Sequence, residues 1–214
     1  MISLDQALAD PDPSVRLKAA LAAGTEPSLR YLETLLERCA VEPDFQVREM
    51  LTWALIRLPG ETVLPQLIGE LSRNEPQARS QALHTLSKFR DSSAWQAVAA
   101  MLDDEDGGVV RTAWYTAVAL VPESQCEWLS EKLATQLGNG DDETQLSLSR
   151  ALVGLGHEII EPLLAAAIHH SDENVRKHAL ATERLLKDPN AGFAISLKAA
   201  RKQVALGKTR ASKG

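Results

Sequence analysis

A motif that returns every 31 to 34 residues restricts this chain to folds made by stacking one small unit on the next. Residues 171–180 read SDENVRKHAL, residues 11–21 read PDPSVRLKAAL, and residues 42–55 read EPDFQVREMLTWAL. Anchored on the arginine, the motif recurs at Arg16, Arg48, Arg79, Arg111 and Arg176, with Gln145 in the remaining slot. The spacings are 32, 31, 32, 34 and 31.

Each unit opens on an acidic or proline-bearing turn, such as DPDP, NEPQ or HSDE. Such turns supply side-chain oxygens to helix N-termini, whose first N–H groups lack partners and whose dipole favours negative charge. An apolar anchor precedes the arginine (Val15, Val47, Ala78, Val110, Val175). Apolar positions follow three and seven residues later and form one helical stripe. A second amphipathic segment separates successive motifs, for instance GETVLPQLIGELS and HEIIEPLLAAAIHH. Each unit is therefore read as a helix pair. No run of β-branched residues alternates with polar ones, so sheet content is expected to be near zero.

The pattern D-x-x-V-R-x-x-A-x-x-A-L, carried by DPSVRLKAAL, DENVRKHAL and DDETQLSLSRALVGLG, resembles HEAT repeats of the short, phycobilisome-lyase-like type. The resemblance implies an all-α fold, an α-α superhelix of about six helix pairs with a C-terminal capping helix. The units span about 1–24, 26–58, 60–89, 92–121, 122–156 and 157–187, within one domain over 1–206. Residues 190–206 read as the cap, with Phe193, Leu197, Ala200 and Val204 at helical spacing. The basic tail 207–214 is expected to be mobile. The resemblance also gives the arginines a structural role, as a ladder of ion pairs with acidic turn residues of neighbouring units.

The net charge is −6, and the C-terminal stretch 190–214 carries six basic residues and no acid. Removing those six from 23 leaves 17 basic against 29 acidic residues, so the body carries about −12. That argues against nucleic acid as a partner, since phosphate would be repelled. No stretch approaches the roughly 20 apolar residues of a membrane span. The N-terminus, MISLDQALADPD, lacks the features of a secretion signal. A soluble, cytoplasmic, monomeric protein is expected.

No catalytic, metal or cofactor site emerges. Deoxyhypusine hydroxylases share this kind of repeat but use several His-Glu pairs, whereas this chain has one, His157-Glu158. His169-His170 matches a helix C-terminus, where the dipole favours a cation. HEAT-like DNA glycosylases need a basic face, and nothing here is specific to the chromophore of bilin lyases. Cys39 and Cys126 read as separate structural thiols.

The expected function is a non-enzymatic scaffold that holds a protein or peptide on the face lined by the second helices. A lyase-like chaperone or enzyme subunit is the alternative. Positions one, two and five after the arginine should be open there. They give a candidate partner surface of Glu49, Met50, Trp53, Gln81, His84, Thr116, Arg150 and His178. Trp53 lies about 160° around the helix from both Leu51 and Leu55, the inward stripe, and is the expected anchor. Trp114 reads as core, and Trp95 and Trp128 as packing between helices.

Overall fold

The computed structural model describes residues 3–188, and no strand occurs among them. The cap expected at 190–206 and the tail at 207–214 lie outside the described residues. The helices are α1 (Leu4–Leu8), α2 (Pro13–Thr25), α3 (Leu32–Val41), α4 (Phe45–Ile56), α5 (Gly60–Glu70), α6 (Pro76–Phe89), α7 (Trp95–Ala99), α8 (Gly107–Leu120), α9 (Cys126–Ala134), α10 (Asp142–Gly154), α11 (His157–Ala167) and α12 (Glu173–Lys187). They alternate as first and second members of pairs. The chain divides into two compact units, residues 1–120 and 121–214. The first unit holds four pairs, and the described part of the second holds α9 to α12.

The acidic turns start the second helices. Asp12, Asp44, Asp141 and Asp172 are N-cap residues whose carboxylates accept from backbone N–H groups of the first turn. At α8 the Asp106 carboxylate accepts from the N–H groups of Gly108 and Val109. At α6 no side chain caps the helix, and Pro76 at its start removes one unpartnered N–H group.

These caps correct the repeat register. The backbone N–H of the motif residue donates to the N-cap carbonyl four residues earlier: Arg16 to Asp12, Arg48 to Asp44, Arg79 to Glu75, Gln145 to Asp141 and Arg176 to Asp172. In α8 the residue making this bond to Asp106 is Val110. Arg111 therefore sits one position past the slot, and the period from Arg79 is 31 to Val110. Burial agrees. Val109, Ala113 and Ala117 are fully buried, in register with Ala78, Ala82 and Leu86. Val110 and Val118 are half-buried.

In the first unit the second helices pack in series, α2 on α4, α4 on α6 and α6 on α8, and the first helices pack outside them. Leu35, Leu51, Leu55, Leu67, Leu83 and Leu86 are among the largest fully buried side chains. Trp95 and Trp114 are buried as well, whereas Trp128 is 45% exposed and does not serve as interior packing. In the second unit α12 packs on α10 and α11, and Leu129, Leu133, Leu148, Leu152 and Ile160 form the core.

One small residue sets how closely α2 and α4 approach. A Cβ on Gly24 would fall 2.2 Å from the Trp53 ring and 3.1 Å from the Ala54 Cα. Gly24→Ala is expected to destabilise the protein by about 1–2 kcal/mol, the overpacking cost outweighing the better helix propensity of Ala. Urea titration of that variant and of Gly24→Ala/Trp53→Leu measures this. The double variant should recover most of the loss, and equal stability of Gly24→Ala and wild type would place the ring elsewhere.

Candidate functional site

Three kinds of site-forming residue can be placed: the motif arginines, the residues between second helices, and the open row on those helices.

Each arginine that occupies the slot, Arg16, Arg48, Arg79 and Arg176, clamps its own turn. Arg16 Nη1 donates to the carbonyls of Asp10 and Pro11 at 2.8 and 2.9 Å. Arg48 does the same to Glu42 and Pro43, Arg79 to Arg73 and Asn74, and Arg176 to His170 and Ser171. The carbonyls lie six and five residues before the arginine, so the guanidinium satisfies turn acceptors that no helix can reach. Gln145 reaches the Gly138 and Gly140 carbonyls at 3.5 and 3.3 Å, a longer substitute.

Two arginines also bind the following pair. The Nε and Nη2 groups of Arg16 donate to the Glu42 carboxylate at 2.8 Å each. Those of Arg79 donate to Asp104 at 2.9 and 2.8 Å. Such fork-on-fork pairs are charge-assisted and geometrically exacting. Glu42 is fully buried. Burial alone would push its carboxyl up, but Arg16, the Asp44 N–H and Arg38 outweigh it and hold the group at about 2. Glu42 and Asp104 each lie six residues before the slot of their own pair, Arg48 and Val110. Arg73 occupies that place before Arg79. It turns to Glu37, Glu70 and Glu75, at 2.9, 3.4 and 3.2 Å. The expected ladder is thus a carbonyl clamp in every described arginine-bearing slot, with carboxylates on Arg16 and Arg79 and none from the described residues on Arg48.

Two positions two after the slot, Gln81 and His178, are not the open sites expected of them, whereas Lys18 is exposed. Gln81 and His178 are buried where neighbouring second helices pack closely. Gln81 Nε2 donates to Thr52 Oγ1 at 2.7 Å, and Thr85 Oγ1 donates to the Gln81 carbonyl. The second unit repeats this arrangement. His178 Nε2 lies 3.0 Å from Ser149 Oγ, Ser149 Oγ 2.7 Å from Thr182 Oγ1, and Thr182 donates to the His178 carbonyl. Thr116 is buried for the register reason given above, and its hydroxyl binds the Leu83 and Thr112 carbonyls. Sequence periodicity alone placed these three residues in the open; none of them is available to a partner.

His178 is fixed in one tautomer. Gly138 N–H can only donate, and it donates to Nδ1 at 3.0 Å, so the proton sits on Nε2, 2.9 Å from the Gln145 carbonyl. Burial lowers its pKa to about 4, against a partial opposing pull from the Gln145 carbonyl.

The row five after the slot is open in part. With Val110 as the slot it reads Leu21, Trp53, His84 and Tyr115 in the first unit. Tyr115 is 56% exposed and Leu21 45%, and Ile56 is 36% exposed three residues past Trp53. Tyr115 was hidden from sequence reading by the one-residue offset of Arg111. Trp53 is half-buried on Gly24, with the Arg57 guanidinium 5.9 Å from its ring centre. It is a packing residue with one accessible part, not a free anchor. His84 Nε2 is 2.9 Å from Glu49 Oε1 but outside hydrogen-bonding geometry. Burial lowers its pKa, and Glu49 opposes that shift. Met50 is half-buried, and Arg150 is exposed on α10 of the second unit.

Among the described residues no group of three or more His, Cys, Asp and Glu could hold a metal ion. Both cysteines are free, and burial pushes the Cys39 thiol up to about 12. No helix among the described residues is long and apolar enough to cross a membrane.

Residues 32–119 match the family model of HEAT repeats. The HEAT match covers α3 to α8, within the first unit. No curated protein matches the chain. Two solved structures of engineered proteins are similar, each at 17% identity and a TM-score of 0.47. One match covers 88% of this chain and 98% of the other, the second 92% and 96%. A designed armadillo repeat protein is similar at 16% identity and a TM-score of 0.44, over 86% of this chain and 98% of that one.

Two stability outcomes follow from this chemistry. Arg79→Ala strands the Asp104 carboxylate as well as two carbonyls, and should cost about 3 kcal/mol. Arg48→Ala strands carbonyls alone and should cost about 1–2 kcal/mol. Urea midpoints of the two variants test the order, and equal losses would mean that the carboxylate contributes nothing. For His178 the unfolded pKa of 6.5 exceeds the folded value of about 4. The unfolded chain binds the proton first, so the stability is present above pH 6.5 and is lost as pH falls towards 4. Between pH 7.5 and 5.0 wild type should lose about 2 kcal/mol more than His178→Gln. Parallel pH profiles of the two proteins would remove the buried neutral imidazole from the account.

Proposed function

We propose that this protein is a non-enzymatic scaffold that binds a protein or peptide along the second helices of its first unit. The observation that carries this reading is the row of Leu21, Ile56 and Tyr115, exposed on helices that pack in series. Apolar and aromatic side chains left open on neighbouring helices are the usual material of a protein interface. Trp53, His84, Glu49 and Met50 lie half-buried among them and add an edge of ring, a dipole and a charge. A concavity of about 520 Å³ adjoins Leu21, lined also by Leu4, Lys18 and Tyr31. Three titratable groups with distinctive environments are committed to the fold rather than to chemistry. Glu42 is engaged by Arg16 and Arg38, Asp104 by Arg79, and His178 by Gly138 and Gln145. Each is spent on holding the repeats.

Leu21→Ala/Tyr115→Ala removes exposed side chains and should leave stability within about 0.5 kcal/mol of wild type. Its affinity for a partner isolated with the wild-type protein should fall at least tenfold, as read by titration calorimetry. Undiminished affinity at unchanged stability would move the partner away from this row.

A further inference from the structure

The second rung of the arginine ladder has no carboxylate among the described residues. Arg16 and Arg79 use Nη1 on their turn carbonyls and spend Nε and Nη2 on a carboxylate six residues before the next slot. Arg48 makes the same two carbonyl bonds, at 2.9 and 2.8 Å. The place of its carboxylate is taken by Arg73, whose like charge is drawn off to Glu37, Glu70 and Glu75. Among the described residues, the Nε and Nη2 donors of Arg48 therefore have no carboxylate partner. Its guanidinium also lies 5.9 Å from the centre of the Phe45 ring, itself 65% exposed.

Arg48 lines an open, mainly polar cleft of about 230 Å³ together with Gln77, Ser80, Gln81, Asp106 and Gly108. Gln77 is oriented by its bonds to the Cys39 and Glu42 carbonyls, so the cleft wall is preset. Asp106 contributes a negative charge, but one oxygen already accepts the Gly108 and Val109 N–H groups.

We propose that Arg48 binds a carboxylate from outside the chain, the side chain of an aspartate or glutamate in an otherwise basic peptide. The carboxylate completes the rung as Glu42 and Asp104 do on Arg16 and Arg79. The basic flanks match a body with a formal charge of about −12, from 17 basic and 29 acidic residues. This site lies at the turns that start the second helices and stands independently of the Leu21–Tyr115 row.

The probe is acetyl-Lys-Gly-Asp-Gly-Lys-amide, with its Asn counterpart and free acetate as controls. The readout is the Arg48 Nε–H resonance, identified by its absence in Arg48→Lys. The Asp peptide should shift this resonance in a saturable way, and the Asn peptide and acetate at the same concentrations should not. Arg48→Lys keeps the charge and can still donate to the turn carbonyls, but it cannot present a fork. It should bind the Asp peptide at least tenfold more weakly by calorimetry, while Leu21→Ala/Tyr115→Ala should bind it as wild type does. An unmoved Nε–H resonance would sink the proposal. So would equal affinity of Arg48→Lys, or an equal response to the Asn peptide. Saturation by acetate at the peptide's concentrations would overturn the peptide as its source.

Discussion

The bond on which the rest depends is the grip of a guanidinium on two carbonyls of the preceding turn. A chain that alternates helices every dozen residues must expose the carbonyls of each connection near the packed core. Left unsatisfied there, each would cost free energy comparable to a lost hydrogen bond. Arginine suits the task because its planar fork serves two directions at once. One nitrogen closes the turn of its own unit, while Nε and Nη2 remain free to reach the next. The same side chain thereby couples local geometry to stacking, as Arg16 does with Glu42 and Arg79 with Asp104.

Between the second helices the coupling is made by small buried networks. Thr52, Gln81 and Thr85 in the first unit correspond in position to Ser149, His178 and Thr182 in the second. A polar side chain two past the slot bonds a hydroxyl on the preceding second helix. The alternative, an apolar contact, appears earlier in the stack, where Ala20 and Ala54 are fully buried. Polar networks of this kind are satisfied or costly, with little between, so they fix the register of one helix on the next. The contrast with Arg48 is instructive, since there the stack leaves strong donors at an open edge rather than within a closed network.

Binding capacity in such a stack lies where the internal demands of the repeat stop. The slot, the anchor and the two network positions are committed to holding the fold. On the reading proposed above, the row five past the slot, with Ile56 beside it, and the edge of Arg48 are the parts left open to a partner. Leu21 and Tyr115 are exposed and lie outside the core. Trp53 does not, because its ring fills the gap that Gly24 leaves.

The sequence by itself determined the helix pairs, the acidic caps and the arginine-bearing turns, because these depend on local chemistry repeated at a near-constant period. It also marked Leu51, Leu55, Ala82 and Leu86 as interior, since a stripe at helical spacing has one face to bury. Tertiary structure decided the rest. Which of two adjacent residues fills the slot in α8 depends on where the helix starts, and the Asp106 cap assigned it to Val110 although Arg111 carries the matching side chain. That one-residue step, about 100° around the helix, hid Tyr115 and wrongly exposed Thr116. Whether Gln81 and His178 face outward depends on how closely neighbouring helices approach. Such an approach depends on residues distant in sequence, as Gly24 and Trp53, 29 residues apart, show between α2 and α4, and no periodicity within one helix encodes it.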